Sequence, residues 1–149
     1  MKILYLFLLG LSLSLMSYSQ VQTSPKANGW YYILDGQQDS ISQEPIVTVK
    51  DFAELNMASD YFGKSVISGK VSKCRLNKWA DATEKSIGKR IGFVFNDTVI
   101  TDPQVNMRIE SGNFQISNPH GYDLERIYQQ LLKEKTSSTE GGSGHCCHE

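Results

Sequence analysis

The chain has 149 residues, 40% of them apolar and 21% charged, with fifteen Lys and Arg against sixteen Asp and Glu. That balance excludes a disordered or collagen-like chain and leaves no net basic field to hold a phosphate backbone, so nucleic acid is not an expected partner. With both atypical ends set aside about 110 residues remain, enough for one core burying somewhat over 60% of the unfolded surface and too few for a separate cofactor domain.

Met1 to Gln20 carries one charge, Lys2, then the apolar run Ile3 to Leu11, a second run from Leu13 to Met16, and small side chains at Ser17 and Ser19. This is the pattern of a secretory signal peptide, with cleavage expected after Ser19 or Gln20. Interrupted at Ser12 and Ser14, the run is short for a bilayer crossing, so no stable membrane insertion is expected once the leader is removed. An uncleaved anchor is the alternative. Residues 21–29 follow as a linker to a folded region spanning 30–134.

Trp30 to Leu34 is aromatic and β-branched and precedes the turn pair Asp35-Gly36, which predicts a first strand; Ile46 to Val49 predicts a second. Asp51 to Leu55 has the form of a short helix capped by Asp51, with Phe52 and Leu55 on one face. Val66 to Val71 is a strand with Gly69 as a weak point or bulge. Leu76, Trp79, Ala80, Thr83 and Ile87 recur at helical spacing, with Gly88 as the residue after the C-terminus. Their opposite face carries Lys78, Asp81, Glu84 and Lys85, a solvated surface.

Ile91 to Phe95, Asn96-Asp97 and Thr98 to Ile100 predict a hairpin with a two-residue turn, because Asn and Asp tolerate positive φ. Pro103 ends the second arm, Val105 to Ile109 is extended or irregular, and Phe114 to Ser117 is a further strand after the Gly112-Asn113 turn. Leu124, Ile127, Tyr128 and Leu131 form the apolar stripe of a last helix, with Asp123 at its positive end. Two such helices need a sheet face to cover, so the expected class is α+β: two layers, with helices on one face of a mostly antiparallel sheet.

Residues 135–149 form the other end. Thr136 to Gly144 has no apolar side chain to bury and is expected to be a tether reaching about 15–20 Å. It leads to His145, Cys146, Cys147 and His148, ligand types that suit Zn²⁺ or copper ions, followed by Glu149. Contiguous donors lack the gaps that let a loop wrap one tetrahedral ion, so a solvated tail whose thiols oxidise or pair is the competing reading. Three cysteines in an exported chain leave at least one thiol free, metal-bound or paired between molecules. Cys74, the one cysteine of the folded region, has no neighbouring His in sequence, and His120 lies in an Asn-Pro-His-Gly loop. Asp35, Asp39, Asp97 and Asp102 fall mainly at turns, and no triad, phosphate loop or metalloprotease box is present, so no enzymatic activity is expected.

Trp79 to Thr83, Ile87-Gly88-Lys89-Arg90, the strand to Phe95, Asn96-Asp97, Val99-Ile100-Thr101-Asp102-Pro103, and Ile109-Glu110-Ser111-Gly112-Asn113-Phe114-Gln115-Ile116-Ser117 resemble the first periplasmic head domain of SecD and SecDF over roughly 65–132. That family's pattern is a helix ending in a Thr-containing turn, a Gly-Lys or Gly-Arg step, a buried strand, an Asp-Gly-type turn, Val-Ile-x-x-Pro and Ile-x-x-Gly-x-x-x-Ile-Ser. Here the turn is Asn96-Asp97. The resemblance implies a ferredoxin-like head, which in the translocon projects from the membrane and helps a polypeptide leave the channel. It also implies a bacterial envelope, hence a periplasmic or secreted module. The membrane helices and proton-conducting acids of SecD are absent from these 149 residues, so proton coupling is not implied.

The expected role is therefore non-catalytic binding of a polypeptide or another envelope protein at a sheet edge or face. Trp30, Tyr32, Phe93 and Phe95 are the candidate contact residues, and ordinary core packing is the alternative for each. From a different class comes a metal- or thiol-handling protein that displays His145, Cys146, Cys147 and His148, with Zn or Cu as cofactor.

Overall fold

The computed structural model describes residues 24–34 and 40–137. The expected leader, the expected Asp35-Gly36 turn, Cys146, Cys147 and the rest of the His145–Glu149 group lie outside the described residues. Nine elements follow in chain order: β1 (Gly29–Tyr32), β2 (Val47–Thr48), β3 (Phe52–Ser59), β4 (Ser65–Val71), α1 (Leu76–Lys85), β5 (Ile91–Phe95), β6 (Thr98–Thr101), β7 (Asn113–Ile116) and α2 (Leu124–Ser137). The class is α+β and every strand pair is antiparallel, as expected. The strands divide between two sheets, β2-β1-β5-β6 and β3-β4-β7, where one was expected.

The division has a local cause. Asp51 accepts hydrogen bonds from the backbone N–H and the hydroxyl of Thr48 (2.9 and 3.3 Å), closing a capping box around the 3-10 turn Val49–Asp51. The turn redirects the chain, so that β3 pairs with β4 instead of prolonging the first sheet.

The short helix expected over Asp51 to Leu55 is instead the start of β3. Register shifts between Phe52, opposite Val71, and Glu54, opposite Lys70, so Ala53 is an extra residue. A bulge of this kind stretches the same-face spacing of a strand from two residues to three. Phe52 and Leu55 therefore both reach the core at a spacing that imitates a helix.

α1 also ends two residues before the predicted Ile87. The Ile87 backbone bridges in parallel to Val105, and the Gly88 N–H donates to the Val105 carbonyl at 2.8 Å, so the chain leaves the helix to hold the 103–109 segment. The Ile87 side chain is left half exposed. At the other terminus α2 continues through Thr136 and Ser137, whose hydroxyls donate to the carbonyls of Leu132, Lys133 and Glu134. Asp123 caps its start by accepting the Arg126 N–H at 3.0 Å.

The β5–β6 hairpin forms as predicted, with Asn96 at φ 46° and Asp97 at φ 60°. Its turn also anchors the lead-in. Asp97 accepts the Lys26 N–H at 2.7 Å, the Asn96 N–H donates to the Asn28 side chain at 2.8 Å, and Asn28 donates to Glu134 of α2 at 2.7 Å. The Tyr31 hydroxyl donates to the Ala27 carbonyl at 2.7 Å, with the Lys26 ammonium 5.5 Å from the ring centre.

Burial raises the Tyr31 phenol above its ordinary 10.0, with Glu44 and Asp97 adding to the shift, and burial together with Asp81 raises Tyr32. A phenol held neutral only in the folded state stabilises the fold fully below the ordinary value, and that contribution is lost as pH rises through the folded value. Stability measured by urea unfolding is expected to decline above about pH 10, and the decline should be shallower in Tyr31→Phe; an equal decline in the variant would refute this account.

One core joins both sheets and both helices: Trp30, Phe52, Leu55, Ile67, Trp79, Phe93, Ile100, Phe114, Ile116, Ile127 and Leu131 all belong to it. Gly69 of β4 faces Phe114 of β7 in register, and a Cβ there would run into the Phe114 ring and lie 2.9 Å from the Glu54 carbonyl oxygen. Gly69→Ala is expected to cost about 1–3 kcal/mol through overpacking, read as a lower urea midpoint at unchanged slope.

Candidate functional site

The aromatic side chains expected to meet a partner are placed mainly inside. Trp30 is 1% exposed and Phe93 is fully buried; Phe95 is also buried, and Tyr32 is half-buried against the core. The reason is register. Trp30 stands opposite Val47 on one side and Phe93 on the other, so the face carrying it is the face covered by the second sheet and α1. Its indole packs edge-on against Phe93 (5.4 Å), Trp79 (5.8 Å) and Phe114 (5.9 Å). Trp30, Phe93 and Phe95 belong to the core.

Asp97 and Asp102, two of the turn acids, are occupied structurally. Asp102 pairs with Arg90 at 2.8 Å, and Asp97 holds the lead-in. His120 sits in the exposed loop before α2, edge-on to Tyr122 at 6.0 Å. Cys74 is half-buried in the 3-10 turn Lys73–Arg75. Among the described residues no three His, Cys, Asp or Glu side chains come together to hold a metal ion.

Two other features have a shape suited to binding. The first is the tip of the β3–β4 hairpin. Asp60 accepts the backbone N–H groups of Phe62 and Lys64, each at 2.8 Å, while its own N–H donates to the Lys64 carbonyl at 2.8 Å and the Gly63 N–H donates back to Asp60 at 3.0 Å. Gly63, at φ 76°, takes the left-handed conformation that closes this loop. The result is a well-tied turn presenting Tyr61 at 97% and Phe62 at 82% exposure, with their rings edge-on at 5.5 Å. Isolated exposed apolar residues need no explanation, but here two large rings stand together in solvent on an ordered turn. The sequence does not reveal it, because the helical spacing of Phe52 and Leu55 conceals the strand Phe52–Ser59 that leads to the tip. The Tyr61-Phe62-Gly63 run, set before the Val66 to Val71 strand, was the available signal.

The second feature is a cavity of about 330 Å³ between the two sheets, α1 and the 103–109 segment. Ile91, Val105, Ile109 and Phe114 supply apolar wall, and both tryptophans line it. The segment above it is strapped to α1. Arg108 pairs with Asp81 (2.9 Å), Glu84 (2.8 Å) and Glu110 (3.2 Å), which raises its pKa through the Asp81 hydrogen bond first. The Ile109 N–H donates to the hydroxyl of buried Thr83 at 2.9 Å. Thr83→Val keeps the shape but removes this acceptor. A loss of about 1 kcal/mol and faster hydrogen exchange at the Ile109 amide are expected, whereas unchanged exchange would show that the strap is held by other means.

With that geometry in hand, the chain's relatives can be placed. The sequence profile described as SecDF, P1 head subdomain, matches residues 21–122. This chain belongs to that family. The protein translocase subunit SecD of Acidaminococcus fermentans is 29% identical over 72 residues, which are 48% of this chain and 17% of that protein. The crystal structure of SecDF in its super-membrane-facing form aligns with a TM-score of 0.57 at 23% identity, covering 67% of this chain and 13% of that one. A structure of SecDF, described as a membrane component that enhances protein export, aligns at 0.56 and 23% identity, covering 66% of this chain and 44% of that one. The structural likeness establishes a shared head fold. This chain spans about a sixth of the length of the SecD relative, and no described helix is long and apolar enough to cross a membrane.

Proposed function

We propose that this chain is an exported, non-catalytic head module that contacts polypeptide during protein translocation, with the Tyr61–Phe62 tip as the contact. Membership of the SecDF head family supports the link to translocation. The observation that carries the contact is the exposure of both rings, 97% and 82%, on a turn already ordered by Asp60. A pre-ordered aromatic pair loses little conformational freedom on binding and offers apolar area to any sequence, which suits a partner with no fixed side chains.

β3 runs into the tip and is an edge strand, with β4 as its sheet neighbour. An extended segment engaged by the rings can therefore add backbone hydrogen bonds along β3, gaining affinity without sequence selection. The leader-like pattern of residues 1–20 supports export, and membership of the SecDF head family supports a bacterial periplasm or the outside of the cell as the place. The proposal is confined to contact: it assigns this chain no proton coupling and no reaction.

Binding of a permanently unfolded client, reduced and carboxymethylated α-lactalbumin, tests it. The Tyr61→Ser, Phe62→Ser double variant is expected to bind about tenfold or more weakly, the scale for losing interface aromatic anchors. Its unfolding midpoint should match the parent's, because neither ring is packed in the core. Equal affinity in the variant, or indifference of the parent to several unfolded clients, would remove the reading.

A further inference from the structure

We propose that Met57 and Ser59 form the backbone docking row of the β3 edge, where an extended polypeptide gains strand-type hydrogen bonds from the N–H and C=O of both residues. This deepens the contact assigned to the Tyr61–Phe62 tip and rests on that reading.

The hydrogen-bond pattern of the β3–β4 hairpin decides which groups face outward. The Asp60 N–H donates to the Lys64 carbonyl at 2.8 Å, and these two residues continue the register in which Ser59 stands opposite Ser65 and Ala58 opposite Val66. In an antiparallel ladder, directly opposed pairs alternate between bonded and non-bonded. Ala58 and Asn56 therefore bond to β4, and the backbone groups of Ser59, Met57 and Leu55 point away from it. The other side of β4 agrees. There the Val71 N–H donates to the Gly112 carbonyl at 2.9 Å, which by the same alternation turns Gly69 and Ile67 toward β7 and leaves Ser68 and Val66 to β3. The Leu55 carbonyl, on the outward side, accepts the hydroxyl of Tyr128 from α2 at 3.4 Å.

That bond ends the row at Leu55, which is itself buried. Met57 is half-buried and Ser59 exposed, and among the described residues nothing outside the sheet bonds to the backbone of either. Unpaired N–H and C=O groups along an edge are a template for another strand, and native edges are blunted by charged side chains, proline or short length. Between Leu55 and Ser59 β3 has none of these. The run is uncharged and contains no proline, and β3, at eight residues, is the longest of the four edge strands, the others having two to four. Ser59 stands two positions before Tyr61, so a backbone seated on the row meets the paired rings at its end. This chemistry sets the occupant. Donors and acceptors alternating at strand spacing match another backbone and select no side-chain sequence, while each paired client residue must carry its own N–H, which excludes proline at those positions.

Amide hydrogen exchange of the full chain, labelled with ¹⁵N and saturated with reduced and carboxymethylated α-lactalbumin, tests the row. Exchange is expected to slow several-fold at Met57 and Ser59, and far less at Asn56 and Ala58, whose N–H groups are already bonded to β4. Ser59→Pro removes an outward N–H and leaves the ladder intact, since proline is tolerated on the open side of an edge strand. It should weaken the client about two- to tenfold, the scale of one net hydrogen bond, whereas Ser59→Ala should bind as the parent does. If the client slows neither amide while the Tyr61→Ser, Phe62→Ser double variant still binds it more weakly, the row is overturned and the tip contact stands. A parent indifferent to unfolded clients removes both. Slowing at Asn56 and Ala58 as large as at Met57 and Ser59 would also overturn the row, because it reports a stiffer hairpin and not a paired edge. Protection of Met57 and Ser59 that rises with the concentration of the client-free chain would give the edge to a second copy and overturn the client as its occupant.

Discussion

Trp30 is the point at which separate parts of the chain become one body. Its register in β1 sets it between Val47 and Phe93, and its ring meets Trp79 of α1 and Phe114 of β7. Phe114 in turn lies over Gly69 and packs on Phe52 at 4.5 Å, so the second sheet is held to the first through a chain of aromatic edges. Such contacts depend on geometry as well as area, which makes the relative placement of the sheets specific and not merely compact. The absence of a side chain at position 69 is part of the same arrangement.

The consequence for function is a division of labour among the aromatics. Those in β1 and β5 are consumed by the core, and the large rings left in solvent gather at the β3–β4 tip and, to a lesser degree, beside α2 at Tyr122. Charged side chains follow a similar rule. Asp51 closes a turn and pairs with Arg75, Asp102 neutralises Arg90, and the acids of α1 anchor Arg108 of the strap. Exposed pairs of this kind add little stability individually. The effect of the Arg108 pairs is positional, since they fix how the 103–109 segment roofs the inter-sheet cavity.

Several elements were legible in the sequence because their signals are local. The Asn96-Asp97 hairpin depends on two residues that tolerate positive φ between two apolar runs, and it forms as expected. α1 and α2 follow from the 3.6-residue stripe, with Asp123 as a cap. The failures are equally instructive. The start of β3 reads as a short helix because the extra residue Ala53 moves Phe52 and Leu55 to helical spacing, which hides the hairpin whose tip carries Tyr61 and Phe62. α1 stops short of Ile87 because a bridge to Val105, eighteen positions onward, competes for the same backbone.

The α+β class, the antiparallel hairpin and the family likeness are all legible in the order of residues, since they reside in short-range backbone preferences and in the placing of turn residues. Long-range packing alone set the division of the strands into two sheets, the inward facing of Trp30 and Phe93, and the place of both tryptophans beside one cavity. Which side of a strand meets the core depends on partners distant in sequence, and a single inserted residue reverses it. An aromatic side chain is equally suited to core and surface, so its role in this protein followed from register and not from its identity.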